Sequence, residues 1–395
     1  MKKVLYICLC LILLTSCDVN TNKKIVQKKE EIHMEMKDEA MMTFTEINEY
    51  NQYMMEHTKA LYDLESMTEL SKEEILSMIQ KYQLPDSPYN DGILITQDDR
   101  YQIINNLNLE KVTSITEMKK GIIIDKTNLK SFPTHISFHS SLESTFDMIQ
   151  ESELAVNSKV LILHESKDHK WNFVISNIYY GWVLKEDIAE VNDFNEFDSN
   201  RFVVITTPFL EVEGTLLTMG VRLPYFGHRD GRYEVYLPTS QDGYLKTKRV
   251  FIDEKHLSVG YLPYTKENLV KQAFKYEGVK YRWGGKGYGV DCSSFVSNVY
   301  LTFGIQLARN TGDQEESLKD VQMIGTLSNQ EKLNQLKEHE FALMYQPGHV
   351  MLYLGYENGT HKMIHANART MDVAIEEITP WTSNLYKIDR FAQIK

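Results

Sequence analysis

Residues 278–303 place a glycine-rich loop directly before a helix that begins at a cysteine. The loop runs Gly-Val-Lys-Tyr-Arg-Trp-Gly-Gly-Lys-Gly-Tyr-Gly-Val and ends at Asp291, a residue type that caps helix N-termini. After Cys292, apolar residues recur at helical spacing until Gly304 ends the pattern. Unpaired N–H groups and the helix dipole favour a thiolate, and glycines let another backbone approach closely. The segment therefore predicts a reactive cysteine with a lowered pKa.

The four cysteines leave no pair for a disulfide in a mature, exported protein. Cys8 and Cys10 lie in the apolar run of residues 4–14, which is shorter than the roughly 20 residues of a membrane-spanning helix and is typical of a secretory signal peptide. Cys17 ends the sequence Leu-Thr-Ser-Cys, which resembles the bacterial lipobox; the alternative is an ordinary cleaved signal with an accidental cysteine. Cys292 is then the single remaining thiol, either reactive or buried and inert.

These features predict the cellular location. We expect a signal peptide over residues 1–17, lipid attachment at Cys17, and an exported protein anchored to a membrane of the cell envelope, on the periplasmic side in a Gram-negative cell. Residues 18–40 are polar and charge-mixed, so we expect a flexible tether there.

Changes in the hydrophobic pattern divide the rest of the chain. Residues 41–124 have helical periodicity and predict a helical segment. Short β-branched and aromatic runs follow at a spacing of about ten residues, which is typical of small barrels. The Gly-Trp-Val run at 181–183 resembles bacterial SH3-like modules, and we predict two of them, at 125–195 and 196–262. Residues 263–395 have the mixed pattern of an α+β domain.

Two histidines lie on strands that the sequence joins in a hairpin. His349 begins one apolar strand and His365 lies on the next, with an Asn-Gly turn between them. A base that activates a thiol needs a third group within about 2.6–3.2 Å, so both imidazoles must share a face of the sheet. A strict two-residue hairpin would place them on opposite faces, because side chains alternate along a strand. We therefore predict an odd loop or a β-bulge between Tyr353 and Ile364.

The combined pattern Tyr-x-Trp-Gly-Gly … Asp-Cys-Ser … His … His resembles the NlpC-type family of papain-like bacterial cell-wall cysteine peptidases. The resemblance is closest to multidomain members with two SH3-like modules. It implies an α+β fold in which a papain-like catalytic domain follows two small SH3-like β-barrels and an N-terminal helical segment. It also implies that Cys292 is the nucleophile, His349 the general base and His365 the orienting third member. Tyr281 and the Cys292 backbone N–H are then the oxyanion donors.

The same resemblance implies a substrate. The family cleaves the γ-D-glutamyl–diamino acid bond of peptidoglycan stem peptides, and its multidomain members favour fragments with a free N-terminal L-alanine, because the first SH3-like module closes one end of the cleft. Asp291 and Ser293 match positions that bind the free amine, and Tyr179 or Tyr180 is the expected contact from the module. The other residues expected to line the site are Trp283, Arg309, Asn310 and Thr311. The chain departs from the family pattern at Arg282 (Gly in the family), Ala308 (Pro) and Thr311 (Ser).

Composition and the lack of ligand motifs argue against nucleic-acid binding and against a metal or cofactor site. A formal net charge of −12 argues against a general nucleic-acid binder. The histidine pairs 135/139 and 164/169 lack cysteine or acidic companions, so we expect no metal and no cofactor. Two alternatives stay open: a non-catalytic envelope-binding lipoprotein whose SH3-like modules hold wall peptides, and an acyltransferase on the same scaffold. Under each of these interpretations we expect a monomer that binds peptidoglycan stem peptides or muropeptides and is attached to the membrane by its lipid anchor.

Overall fold

The structure is a computed structural model that describes residues 39–379 and 385–395. The predicted signal peptide, the lipid-accepting Cys17 and residues 18–38 of the predicted tether lie outside these ranges. Among the described residues, no helix combines the length and the apolar character needed to cross a bilayer.

The N-terminal segment contains helices that each begin at a capping box, in which a threonine or serine and an acidic residue three positions later satisfy each other's backbone N–H groups. The elements are β1 (Ala40–Met42), α1 (Phe44–His57), α2 (Lys72–Gln80), β2 (Tyr89–Asn90), β3 (Ile93–Leu94) and α3 (Gln97–Asn106). The capping residues Thr43, Ser71 and Thr96 explain where these helices start.

The helices of this segment, which the sequence predicts at 41–124, pack on two different domains. Helix α1 packs on the C-terminal domain, where the Asn51 amide donates to the Gly304 carbonyl at 2.8 Å and accepts from the Gln306 backbone N–H at 2.9 Å. Helices α2 and α3 instead bury Ile75, Ile79 and Ile103 in the core of the first SH3-like module. Each helix is amphipathic, so its apolar face is stabilised by whichever domain covers it.

The first SH3-like module is an antiparallel sheet around buried aromatic side chains. Its strands are β4 (Lys119–Ile123), β5 (Thr127–Lys130), β6 (Gln150–Leu154), β7 (Lys159–Glu165), β8 (Trp171–Ser176), β9 (Tyr180–Leu184) and β10 (Ile188–Val191). Trp182 is fully buried and meets the Phe173 ring edge-to-face, with the ring centroids 5.4 Å apart. Strand β4 pairs with both β7 and β10, so the module begins at Lys119 and the predicted boundary at 125 is too late.

The second module is a further set of antiparallel strands with a separate aliphatic core. Its strands are β11 (Phe202–Ile205), β12 (Phe209–Val212), β13 (Thr215–Thr218), β14 (Arg222–Arg229), β15 (Arg232–Gln241), β16 (Tyr244–Asp253) and β17 (Leu257–Val259). Val203, Leu223 and Val235 are among its fully buried residues. Strand β16 lies beside β10 through the pair Glu190 and Tyr244, which joins the sheets of the two modules.

The C-terminal domain packs helices against a mixed sheet. Its elements are β18 (Tyr264–Thr265), α4 (Lys266–Phe274), β19 (Lys280–Tyr281), β20 (Gly289–Val290), α5 (Cys292–Leu301), α6 (Thr311–Ser317), β21 (Gln322–Met323), α7 (Asn329–Lys337), β22 (Leu343–Gln346), β23 (His349–Glu357), β24 (Thr360–Asn367), β25 (Asp372–Ile378) and β26 (Arg390–Ala392). The sheet order is β20-β19-β25-β24-β23-β22-β26-β21. Together with the modules before it, this domain gives the α+β fold that the sequence predicts.

The predicted irregularity in the β23–β24 hairpin is confirmed. At the turn, Glu357 pairs with Thr360, as in a two-residue hairpin, but the register shifts between Tyr353 and Gly355. Beyond this bulge Leu352 pairs with Ile364, one position away from the register that the turn alone would set. Since side chains alternate, the shift returns the two histidines of these strands to one face.

Candidate active site

Cys292 is the first residue of α5 and lies where the helix, the sheet and the loop before α6 meet. Asp291 caps the helix by accepting a hydrogen bond from the Ser294 backbone N–H at 2.8 Å. The Cys292 side chain is 7% exposed, and its sulfur lies 3.8 Å from the Thr311 hydroxyl. The backbone of Val350, the residue after His349, also makes a hydrogen bond to the sulfur. The helix start thus aims the thiol at the beginning of β23.

The protonation of this thiol differs from the prediction made from the helix terminus alone. Burial raises the pKa of Cys292, and the negative charge of Asp291 raises it further, while hydrogen bonds from Val350 and Thr311 act in the opposite direction. The predicted lowering is therefore wrong as a net effect, because burial penalises the charged form more strongly. A thiolate at this position needs a cation beside it.

The two histidines form a hydrogen-bonded pair. Nε2 of His349 lies 2.7 Å from Nδ1 of His365, whose side chain is 1% exposed. Burial and, to a smaller extent, the proximity of His365 lower the pKa of His349, Glu376 and Asp291 oppose this shift, and the net pKa is about 3. His349 is therefore neutral at pH 7 and able to accept a proton. Sequence reasoning did not single out Glu376, which lies on the third strand of this face.

Tyr281 lies in β19 with 4% of its surface exposed. Burial raises the pKa of its hydroxyl, and the negative charges of Cys292 and Asp291 raise it further. The phenol therefore remains protonated at neutral pH and can donate a hydrogen bond. A residue that stabilises an oxyanion must carry such a proton to donate.

Asp291, which the family resemblance predicts to bind the substrate's amine, forms an ion pair with Arg309 in the structure. Its Oδ2 lies 2.6 Å from Nη2 of Arg309, and the Ser293 hydroxyl accepts from Nη1 of the same guanidinium at 2.8 Å. The Arg309 Nε–H donates to the Ser152 hydroxyl of the first module at 2.7 Å. Burial alone would raise the pKa of Asp291, but Arg309 and the helix-cap bonds outweigh it and lower the pKa. Asp291 and Ser293 therefore both bind the guanidinium of Arg309.

A second carboxylate, Glu151, lies next to this network and has no comparable ion pair among the residues that the structure describes. It belongs to β6 and accepts a hydrogen bond from the Tyr179 hydroxyl at 2.9 Å. Burial raises the pKa of Glu151, and the hydrogen bonds from Tyr179 and Ser131 and the positive charges of Lys81 and Arg309 only partly offset this effect. The Tyr179 hydroxyl also contacts Asn310, so module and C-terminal domain meet at this point.

Tyr179 and Tyr180 lie on different sides of this junction. The two rings stack at a centroid distance of 5.9 Å, but the Tyr180 ring is covered by the Lys81 ammonium at 5.2 Å and packs towards the core of the module. Tyr179 is therefore the residue of the predicted pair that the structure brings to the site. Sequence reasoning missed Glu151, because the run Gln-Glu-Ser-Glu-Leu of β6 carries too few apolar residues to predict a strand.

The remaining predicted residues lie around the cysteine in different roles. Trp283 is 47% exposed, and its indole N–H donates to the Gln150 carbonyl at 3.0 Å, so it joins the glycine-rich loop to the first module. Thr311 contacts the thiol through its hydroxyl. Asn310 is exposed and donates to Asp313 at 3.0 Å.

Comparison with known proteins identifies the domains that build this site. Residues 278–390 match the sequence model of the NlpC/P60 family, and residues 138–184 match that of the SH3 domain of the SH3b1 type. Residues 278–390 are an NlpC/P60 domain. The NlpC/P60 endopeptidase from Photobacterium damselae subsp. piscicida has the same fold, with a TM-score of 0.72 and 20% identity over 90% of this chain and 93% of that one. An NlpC/P60 family protein from Bacillus cereus ATCC 10987 has a TM-score of 0.52 and 18% identity over 69% and 99%.

Curated relatives match shorter stretches of this chain. A γ-D-glutamyl-L-lysine dipeptidyl-peptidase of Bacillus cereus is 26% identical over 197 residues, which cover 46% of this chain and 56% of the relative. Dipeptidyl-peptidase 6 of Lysinibacillus sphaericus is 31% identical over 136 residues, or 34% and 45%. A γ-D-glutamyl-L-lysine dipeptidyl-peptidase of Bacillus subtilis is 23% identical over 281 residues, or 64% and 83%. The chain thus spans about half the length of the first two relatives.

The glycine-rich loop of the NlpC/P60 domain is hydrogen-bonded to a buried ion pair of the first module. The Lys126 ammonium pairs with Glu153, and the side chains of the two residues are 7% and 11% exposed. Lys126 also donates to the carbonyls of Gly285 and Gly287, and Glu153 accepts from the Gly287 N–H at 2.7 Å. Gly284 has φ 68°, and a Cβ there would lie 2.6 Å from the Gln150 side chain, so glycine is required.

Removing Lys126 should strongly destabilise the protein. We expect Lys126→Ala to lower the free energy of unfolding by about 3–5 kcal/mol, because Glu153 is left buried without its partner. Urea unfolding measures the change. The matched control is Lys119→Ala, whose exposed pair with Glu190 at 3.9 Å should contribute less than about 1 kcal/mol. Equal effects of the two substitutions would contradict an anchoring role for Lys126.

Proposed function

We propose that this protein is a cysteine peptidase that hydrolyses the γ-D-glutamyl–diamino acid bond of peptidoglycan stem peptides with a free N-terminal L-alanine. The observation that carries the proposal is the placement of Cys292 at a helix start, where its sulfur contacts the backbone of Val350, the residue after His349, whose imidazole pairs with that of His365. The names of the curated relatives support the bond and the dipeptide product.

The proposed reaction uses each of these groups once. Neutral His349 takes the proton of Cys292, and the resulting imidazolium stabilises the thiolate whose formation burial disfavours. The sulfur attacks the γ-carbonyl carbon of D-glutamate, and the Tyr281 hydroxyl and the Cys292 N–H donate to the oxyanion. The imidazolium then gives its proton to the leaving amine of the diamino acid. Water hydrolyses the thioester and restores the thiol.

The preference for a free amine is assigned to Glu151 rather than to Asp291. Asp291 is neutralised by Arg309, whereas the Glu151 carboxylate has the Tyr179 hydroxyl as a neutral partner. Lys81 and Arg309 act on Glu151 through their charge, and a substrate ammonium next to the carboxylate would add the direct ion pair that neither of them makes within the described residues. Since Tyr179 and Glu151 belong to the first module, the module would set where the peptide begins, and the reacting bond would lie two residues further on.

Incubation of the protein with defined muropeptides tests the proposal. We expect L-Ala-γ-D-Glu and a peptide that begins with the diamino acid as the products, identified by mass spectrometry. Addition of a free amine acceptor separates hydrolysis from acyl transfer, because a transferase would yield the acceptor-linked dipeptide instead. Binding of muropeptides without any product would favour the non-catalytic envelope-binding protein.

The lipid anchor is proposed separately, on the sequence Leu-Thr-Ser-Cys at residues 14–17. We expect Cys17→Ser to prevent fatty-acid labelling and to shift the processed protein from the membrane fraction to the soluble fraction, because the serine hydroxyl cannot form the thioether. Fractionation of cells that express the wild type and the variant measures this. A wild-type chain that carries no fatty acid would contradict the anchor.

A further inference from the structure

Glu376 faces the histidine pair from the strand on the far side of His365. In the β24–β25 ladder His365 pairs with Ala374, and Met363 pairs with Glu376. Cross-strand partners share a face, and so do residues two apart, so Glu376 lies diagonally beside His365 on the face that holds the imidazoles. The short side chain of Ala374 leaves the space between them open.

The contacts at this position are polar and local. Oε1 of Glu376 lies 3.4 Å from Nε2 of His365, a buried nitrogen that has no hydrogen-bond partner at a shorter distance within residues 39–379 and 385–395, so the carboxylate is the acceptor placed to take its proton. The Asn367 amide donates to the same Oε1 at 2.8 Å, and the Arg369 guanidinium lies 3.8 Å from Oε2. Asn367 and Arg369 therefore hold the carboxylate against the buried edge of the His365 ring.

This contact decides which nitrogen of each ring carries the proton. A carboxylate accepts and cannot donate, so it favours the form of His365 with the proton on Nε2. Nδ1 of that neutral ring is then an acceptor, and the bond of 2.7 Å requires His349 to donate from its Nε2. The unprotonated nitrogen of His349 is then Nδ1. Without the carboxylate, the opposite set of tautomers, in which Nδ1 of His349 is protonated, becomes equally accessible.

We propose that Glu376 is a positioning residue and the fourth member of the site, and that it sets the tautomers of His365 and His349 so that His349 Nδ1 is free to take the Cys292 proton. The inference rests on the proposed thiol chemistry and adds a residue to it. It also predicts that the negative charge of Glu376 stabilises the imidazolium formed during the reaction. Asn367 and Arg369 act on Glu376, and Asp291 is the other charge that acts on His349.

The test compares Glu376→Gln with the wild type in the full chain. Glutamine keeps the shape and can still accept from Asn367, but it lacks the charge. We expect alkylation of Cys292 by iodoacetamide at neutral pH, followed by mass spectrometry of the Cys292 peptide, to slow about tenfold. On a stem peptide we expect a similar fall in kcat with KM within about twofold, and an acidic limb of the kcat/KM profile about one pH unit lower, because the pKa of His349 falls without the charge of Glu376.

Glu377→Gln is the matched control, because it removes a neighbouring carboxylate on the opposite face of β25. It should leave the alkylation rate and the pH profile unchanged, and Glu376→Asp should recover part of both. A Glu376→Gln protein with the wild-type alkylation rate and pH profile, changed only in its unfolding temperature, would overturn the proposal. Alkylation needs no substrate, so this result is separable from a failure to cleave stem peptides.

Discussion

Replacing Cys292 by alanine should reduce kcat/KM on a free L-Ala-γ-D-Glu-diaminopimelate peptide on the order of 10⁴–10⁶-fold, the range expected when a nucleophile that acts together with its base is removed. The fold should remain, since the substitution removes one sulfur atom from a buried position. Release of the dipeptide, quantified by chromatography, measures activity, and thermal unfolding measures integrity. The loss should appear in kcat, because the thiol forms the bond that defines the transition state.

Cys17→Ser provides the matched control for this experiment. It also removes a cysteine, but Cys17 has no part in the proposed reaction, so purified protein should keep the wild-type kcat/KM. His349→Ala should be as inactive as Cys292→Ala, and the double variant should be no worse, since the two residues act as one unit. A Cys292→Ala protein that still releases dipeptide would exclude the cysteine-peptidase mechanism.

Local sequence signals are enough to predict the cysteine, the histidines and the bulge that brings the histidines together. Capping boxes and helical spacing depend on residues a few positions apart, and strand parity depends only on counting. The parity argument predicts a shift between Tyr353 and Ile364, and the shift lies between Tyr353 and Gly355. The chemical requirement that two imidazoles share a face is therefore sufficient to predict a feature of the backbone.

Contacts between distant segments are what the sequence could not predict. Arg309 donates a hydrogen bond to Ser152, which lies 157 residues earlier in the chain, and the same guanidinium forms an ion pair with Asp291. Neither residue's sequence context indicates the pairing, and the amine-binding role of Asp291 is an expectation from the family resemblance. The division of the N-terminal helices between two domains has the same cause, because an amphipathic helix shows that a face is buried but not by what. The thiol pKa escapes a local prediction because burial depends on the whole fold.

The second large effect on kcat/KM is expected when the substrate's N-terminal amine is blocked. Acetylating the L-alanine amine should lower kcat/KM about 10²–10⁴-fold, because Glu151 would be buried against a neutral amide without a direct ion pair, at a cost of about 3–5 kcal/mol. Glu151→Gln should reduce hydrolysis of the free peptide and leave the acetylated peptide almost unaffected. The ratio of the two rates, measured by competition in one reaction, should therefore collapse in the variant.

The exposed Glu143 in the same module gives the matched control, since Glu143→Gln removes an equal charge away from the site and should keep the wild-type ratio.

The pH dependence of the same ratio supplies an independent check. Burial raises the pKa of Glu151, so this carboxyl takes up a proton at a higher pH than an exposed glutamate does. As the pH falls through that raised pKa, the neutral carboxyl no longer attracts the ammonium, and the preference for the free amine should weaken in the wild type. In Glu151→Gln the ratio should not depend on pH, because the group that titrates is gone. A wild-type ratio near one at neutral pH would show that Glu151 does not bind the amine, whereas a high ratio that survives in Glu151→Gln would assign the selection to a residue outside the first module.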